Sequence, residues 1–358
     1  MKYRRTRHFH ARLATPWYFV SVMKLLPLML LAATAAAQQW TRVPVATSAG
    51  IRGLSVVSDK VIWASGTEGT VIRTVDGGKT WTAMHVADAE KLDFRGIHAF
   101  DDRTAIIISS GPAEKGQAHI YRTSDGGKLW AQVYEQKTPG VFFDAVAVWD
   151  RKHGIVFSDP VSGHFLLFTT DDGGLTWKQA ALAGLPPALP NEGAFAASNS
   201  CLTAQGSSNV WFATGGAGVA RVFRSTDRGQ TWAVSETPMH PANASSGIFS
   251  LAFSDAKNGI AVGGDYRHPE SSDLPNVMRT GDGGQTWQPA LPTDPAGIYF
   301  SSVALAGNAV ITGGIKGLWS NSGGWKQEST TNVNAVAAGR SDIWAVGPQG
   351  AVLKRSAR

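Results

Sequence analysis

A single cysteine, Cys201, serves the whole 358-residue chain, so an intramolecular disulfide is excluded and the residue reads as a small buried side chain. Metal-ligand spacing is missing as well. His98, His153, His164, His240 and His268 stand in no such register with Cys201 or with one another, and neither a metal nor any other cofactor is expected. Helical periodicity is absent, and no apolar run reaches the roughly 20 residues of a membrane-spanning helix. Acidic residues are lacking altogether from the first 37 positions, which carry Lys2, Arg4, Arg5, Arg7, Arg12 and Lys24.

That last absence marks a leader. A basic start, an apolar run from Leu25 to Ala33 and the small residues Ala35, Ala36 and Ala37 before Gln38 form the pattern of a secretory signal. Met23, just before Lys24-Leu25-Leu26, is an alternative start, and no Cys follows the run to take a lipid anchor. The expectation is an exported protein, periplasmic or secreted, with residues 1–37 removed, residues 38–358 forming the mature domain, and no membrane span left. Charge changes with the leader: six of the 33 basic residues leave with it, and the remaining 27 equal the 27 acidic residues. The net +6 of the full chain belongs to the leader, and net charge gives no reason to expect a nucleic-acid partner.

What the chain has in abundance is one octamer. Thr74-Val75-Asp76-Gly77-Gly78-Lys79-Thr80-Trp81 returns with its Asp and Trp at Asp125 and Trp130, Asp172 and Trp177, Asp227 and Trp232, and Asp282 and Trp287, and in worn form at Ser320-Asn321-Ser322-Gly323-Gly324-Trp325. The Asp is expected to accept hydrogen bonds from backbone N–H groups a residue or two ahead, the Ser or Thr hydroxyl to cap the same turn, and Gly to supply positive φ. The Trp then opens the next strand and carries apolar area into the core. The octamer resembles the Asp-box of BNR-repeat propellers, a group that includes sialidases, sortilin-type receptors, xyloglucanase-type hydrolases and the photosystem II stability/assembly factor family.

The period fits. Trp40, Trp81, Trp130, Trp177, Trp232, Trp287 and Trp325 are spaced by 41, 49, 47, 55, 55 and 38 residues, the length of a four-stranded blade. Second-strand copies at 61–65, 105–109, 154–158, 210–214, 259–263, 309–313 and 342–347 number seven. The fold expected is therefore all-β, a single seven-bladed propeller. The segment at Trp40-Thr41-Arg42-Val43 precedes any inner strand and the last blade lacks a Trp strand, so the amino-terminal strand is expected to complete the carboxy-terminal blade and remove a free edge.

Function is sought on the face opposite the octamer turns, whose carboxylates read as structural. The loop Gly263 to Asn276 contributes Asp265 and Arg267, and the loop Leu182 to Phe195 contributes Glu192. The repeat register adds Arg95, Asp144, Asp159, Tyr299 and Lys316 near the central mouth. Such groups converging on a pocket suit an acidic peptide or a sugar. Gly215 to Arg221 half resembles a dinucleotide fingerprint, but Arg221 stands where the third Gly belongs and a strand follows in place of a helix. Resemblance to the photosystem II stability/assembly factor family over the mature length implies a non-catalytic scaffold that holds a partner polypeptide in the cell envelope. The alternative is a sialidase-like glycoside hydrolase acting on glycans, with Asp159, Glu192, Asp265 and Tyr299 as candidates. The sialidase Arg-Ile-Pro motif is missing, so no catalytic residue is assigned.

Overall fold

The computed structural model describes residues 39–181, 184–270, 275–290 and 297–357. The expected leader with Met23, and Leu182 of the expected loop, lie outside the described residues. Seven antiparallel four-stranded sheets follow one another along the chain. Each innermost strand lies against the innermost strands of its two neighbours, and the seventh returns to the first. Second strands such as Ile62–Gly66 and Ala105–Ser109 are buried along their whole length. They are packed on both faces and therefore read as continuous rather than alternating apolar runs. Outermost strands such as Lys178–Gln179 are exposed. One 3₁₀ turn, Ala113–Lys115, is the only helix among the described residues.

Closure follows the expected route. Thr41–Arg42 pairs antiparallel with the strand Ala351–Ser356, opposite Lys354 and Leu353, and becomes the outer strand of blade 7. Asn334 Nδ2 of blade 7 donates to Ile51 O of blade 1 at 2.8 Å, so the seam is hydrogen-bonded at the centre as well as at the rim.

In blades 1 to 5 the octamer turns hold the blade's outer half to its inner half. In blade 3, Asp172 Oδ1 accepts from the amides of Leu175 and Thr176, both at 2.9 Å, and Oδ2 from the Thr176 hydroxyl at 2.6 Å. The partners lie three and four residues ahead, not one or two as expected: the two left-handed residues between them fold the chain back so that the later amides reach the carboxylate. Thr170 Oγ1 donates to Asp172 and accepts from Gly174 N at 2.9 Å, the expected cap. The Gly173 amide then donates to Lys152 O, in the turn between the first two strands of the same blade. The octamer turns therefore lie at the end of the blade where the inner strand finishes.

The second glycine of the octamer also meets the preceding blade. At Gly78, φ is 83°, and a methyl group there would sit 2.3 Å from Trp344 Cη2. Trp344 is fully buried on the second strand of blade 7, and Trp81 packs edge-on against it at 5.7 Å. Trp63 and Trp130 repeat the arrangement at 6.2 Å between blades 1 and 2. One short motif thus supplies a turn, a close approach and an inter-blade anchor.

Candidate functional site

The opposite end of the ring is where the inner strands begin, and there the sequence repeats a second, shorter pattern. An apolar residue, a variable one, a small one and an apolar one recur as Ile51-Arg52-Gly53-Leu54, Phe94-Arg95-Gly96-Ile97, Phe143-Asp144-Ala145-Val146, Ile248-Phe249-Ser250-Leu251, Phe300-Ser301-Ser302-Val303 and Val333-Asn334-Ala335-Val336. In blades 1, 2, 3 and 5 the variable residue occupies a β-bulge against the second strand. A bulge leaves one residue unpaired and re-aims its side chain. Arg52, Arg95, Asp144, Phe249, Ser301 and Asn334 all line one central cavity of about 550 Å³, the size range of small-ligand pockets. Blade 4 breaks the pattern: Ser200 is turned into hydrogen bonds with Ser198 and Ser250, both at 2.6 Å.

The cavity has three kinds of wall. On the side of blades 1 and 2, Asp93 Oδ2 pairs with Arg95 Nε at 2.7 Å and lies 3.6 Å from Arg52 Nε. Arg95 also lies over the Phe142 ring at 5.9 Å. Burial, and after it the neighbouring Arg95, lowers the pKa of Arg52.

Blade 3 supplies the acidic wall. Asp159 sits in a second bulge, between Ser158 and Pro160, and accepts from Ala194 N at 2.8 Å. Burial pushes its carboxyl up to about 6. Asp144 is only 1% exposed, and its Oδ2 has no hydrogen-bond partner. Burial, then the nearby Asp159, drives its pKa well above the ordinary carboxylate range, against the weaker pull of Arg95.

The third wall is aromatic. Phe195 stacks on Phe249 at 3.9 Å, and Tyr299 meets Phe249 edge-on at 4.8 Å. Tyr266 and Ile315 line the cavity and are exposed at its rim.

Four of the expected site residues thus meet in one place: Arg95, Asp144, Asp159 and Tyr299. Glu192, Asp265, Arg267 and Lys316 do not line this cavity. Glu192 is buried in blade 4, where Oε1 accepts from Arg221 Nε at 2.9 Å and from Thr214 Oγ1 at 2.6 Å, while Oε2 accepts from Leu189 N at 2.8 Å. It ties the preceding loop to the blade. Asp265 accepts from Ser245 Oγ at 2.6 Å, Asn243 Nδ2 at 2.9 Å and the Arg267 amide at 2.9 Å, and it contacts His268 Nδ1 at 3.0 Å. Burial alone would raise its pKa; those bonds outweigh burial and hold it below the ordinary range. Arg267 lies over the Tyr266 ring at 5.8 Å, and Lys316 pairs with Glu270 at 2.7 Å on the surface. Long polar loops have to satisfy their own backbone, and these acids do that. Arg52, Phe249, Ser301 and Asn334 were missed by the sequence reading, although the four-residue inner-strand pattern marks each of them.

No protein-family model matches the sequence, and no curated protein matches it. Among solved structures, YCF48 bound to a D1 peptide is similar with a TM-score of 0.63 and 16% identity, covering 91% of this chain and 99% of that one. YCF48 from Cyanidioschyzon merolae also gives a TM-score of 0.63, with 17% identity over 88% of this chain and 98% of that one. The GH74 enzyme of Niastella koreensis gives a TM-score of 0.58 with 14% identity, covering 88% of this chain and 53% of the enzyme. At such identities the likeness is one of fold, and this chain shares that fold with YCF48.

Proposed function

We propose that this chain is an exported, non-catalytic binding propeller that holds a segment of a partner polypeptide in its central mouth, as an assembly or stability factor of the cell envelope. The observation that carries the reading is the ring of register-equivalent residues. It places charged, amide and aromatic side chains around one cavity on a backbone that the octamer turns keep rigid from the far end. A mouth that offers paired charges beside stacked rings suits an extended peptide, whose backbone and side chains bring both polar and apolar groups. Support also comes from a neighbour of the same fold that was captured with a peptide bound. The apolar leader, with its basic start, supports export.

A second reading rests on one observation. Two carboxyl groups of unequal proton affinity, Asp144 and Asp159, lie in one cavity, as an acid and a base for glycoside hydrolysis would.

The two readings separate in one experiment. The 38–358 protein is used to capture partners from envelope extract, alongside an Arg95→Ala, Phe249→Ala double variant, and is assayed against a panel of glycosides. The binding reading expects a polypeptide retained by the parent protein, lost from the variant, and no turnover. Turnover that Asp159→Asn abolishes in a folded protein would establish the hydrolase instead.

A further inference from the structure

On the cavity's cationic wall Arg95 is engaged, while Arg52 Nε and Asp93 Oδ1 are buried without hydrogen-bond partners. Asp93 pairs with Arg95 and faces Arg52, and Arg95 Nη1 also reaches Ala196 O at 3.4 Å. On the acidic wall Asp144, only 1% exposed, likewise keeps Oδ2 without a partner. With Asp144 neutral, two guanidinium groups face two carboxylates, Asp93 and Asp159. Ionising Asp144 leaves the cavity one negative charge in surplus. The other titratable groups about the pair are the phenols of Tyr299 and Tyr266, and Cys201, which lies behind Asp144 and whose thiol is pushed up by burial and then by Asp144. None of them supplies a positive charge. Phe195 directly follows Ala194, whose amide holds Asp159, and with Phe249 it brings stacked rings beside the acids. Carboxylates beside aromatic faces form the usual surroundings of a bound ammonium group.

We propose that the mouth recognises a primary ammonium group of its ligand, seated by Asp144 and Asp159 against Phe195 and Phe249, and that its entry releases the Asp144 proton to solvent. This rests on the binding reading above and names the chemistry of the ligand's anchoring group. The step balances: R–NH₃⁺ and the Asp144 carboxylic acid give an ammonium carboxylate pair and one hydrated proton, with no bond to carbon made or broken. An anionic anchor would instead leave one negative charge in surplus even with Asp144 neutral, and would find Arg95 already taken by Asp93. A lysine side chain and a peptide amino terminus carry the same group, and the test tells them apart.

Titration calorimetry of the 38–358 protein is run at pH 7 in two buffers of different ionisation enthalpy, with N-acetyl-lysine methylamide, alanine methylamide and N-acetylalanine as probes. The expected result is that one or both of the amines bind at least about tenfold more tightly than the carboxylate, releasing about one proton per ligand. The better amine identifies the source. Asp144→Asn, which mimics the protonated acid and is expected to fold, should lose the proton release and at least about tenfold in affinity. Asp159→Asn should weaken binding but keep the release. Tighter binding of N-acetylalanine, binding of an amine without proton release, or no binding of any probe at millimolar concentration would each overturn the ammonium assignment. If polypeptide capture by the mouth survives such a result, the binding reading stands without it; if capture also fails, both fall.

Discussion

Glu192 shows why a buried acid need not be a site. Its carboxylate is fully enclosed and fully engaged by Arg221, Thr214 and Leu189, so removing it strands the guanidinium of Arg221 in the core. Glu192→Ala is expected to cost about 3–5 kcal/mol in urea unfolding. A Glu192→Gln, Arg221→Met pair should recover a large part of that. Asp144 is the opposite case, an enclosed acid whose neutral form the fold prefers. Its folded pKa lies above its unfolded one, so between roughly pH 4 and the folded value the native state holds a proton that the unfolded state has released, and stability falls as pH rises. Asp144→Asn removes that loss. Its melting temperature should exceed the parent's by a few degrees at pH 7 and match it near pH 4; a variant less stable at neutral pH would contradict the protonated assignment.

At the scale of the element, the octamer turn combines chemistry and packing, and each can be broken alone. Asp172→Ala deletes four hydrogen bonds on a largely solvated turn and is expected to cost about 1–2 kcal/mol, as the loss of a good cap does. Gly78→Ala combines a left-handed backbone with the clash against Trp344 and should cost about 2–4 kcal/mol. Both are read from chemical denaturation. Burial opposes ionisation of Asp172, but the bonds from Thr176 prevail and bring its pKa to about 2; the Thr286 amide and hydroxyl do the same for Asp282. Here the folded pKa is depressed, so the stabilisation is complete above roughly pH 4 and is lost as pH falls toward 2. These turns were legible in the sequence because a local motif has only local partners: Thr170, Asp172 and Thr176 find one another within seven residues. The mouth was only half legible. Asp144 and Arg95 are placed by strand register, which a repeat reveals, whereas Glu192 was drawn from a long loop and Asp265 from the point where a strand runs into one. Which way a loop acid turns depends on groups that approach from other parts of the chain, such as the hydroxyls of Ser245 and Thr214.

The whole molecule depends on one two-residue strand to finish its ring. Beginning the chain at Pro44 would remove Thr41–Arg42 and leave Ala351–Ser356 as an open edge. Such a truncation is expected to lower the melting temperature, speed amide exchange first in blade 7, and promote association through the bared strand, which light scattering would detect. A loss confined to blade 7, with blades 2 to 4 unchanged, would show that the ring tolerates an open seam; a uniform loss would show that closure is cooperative.

The bulges at the mouth carry a further meaning. Because the backbone of the inner strands sets where the variable residue stands while the octamer turns sit at the far end, the bulge positions 52, 95, 144 and 249 can change identity without rewriting the scaffold that presents them. They form a dial with its marks in fixed places, and what is inscribed at each mark is free to drift. Two propellers with the same turns and the same blade count can therefore serve unrelated partners.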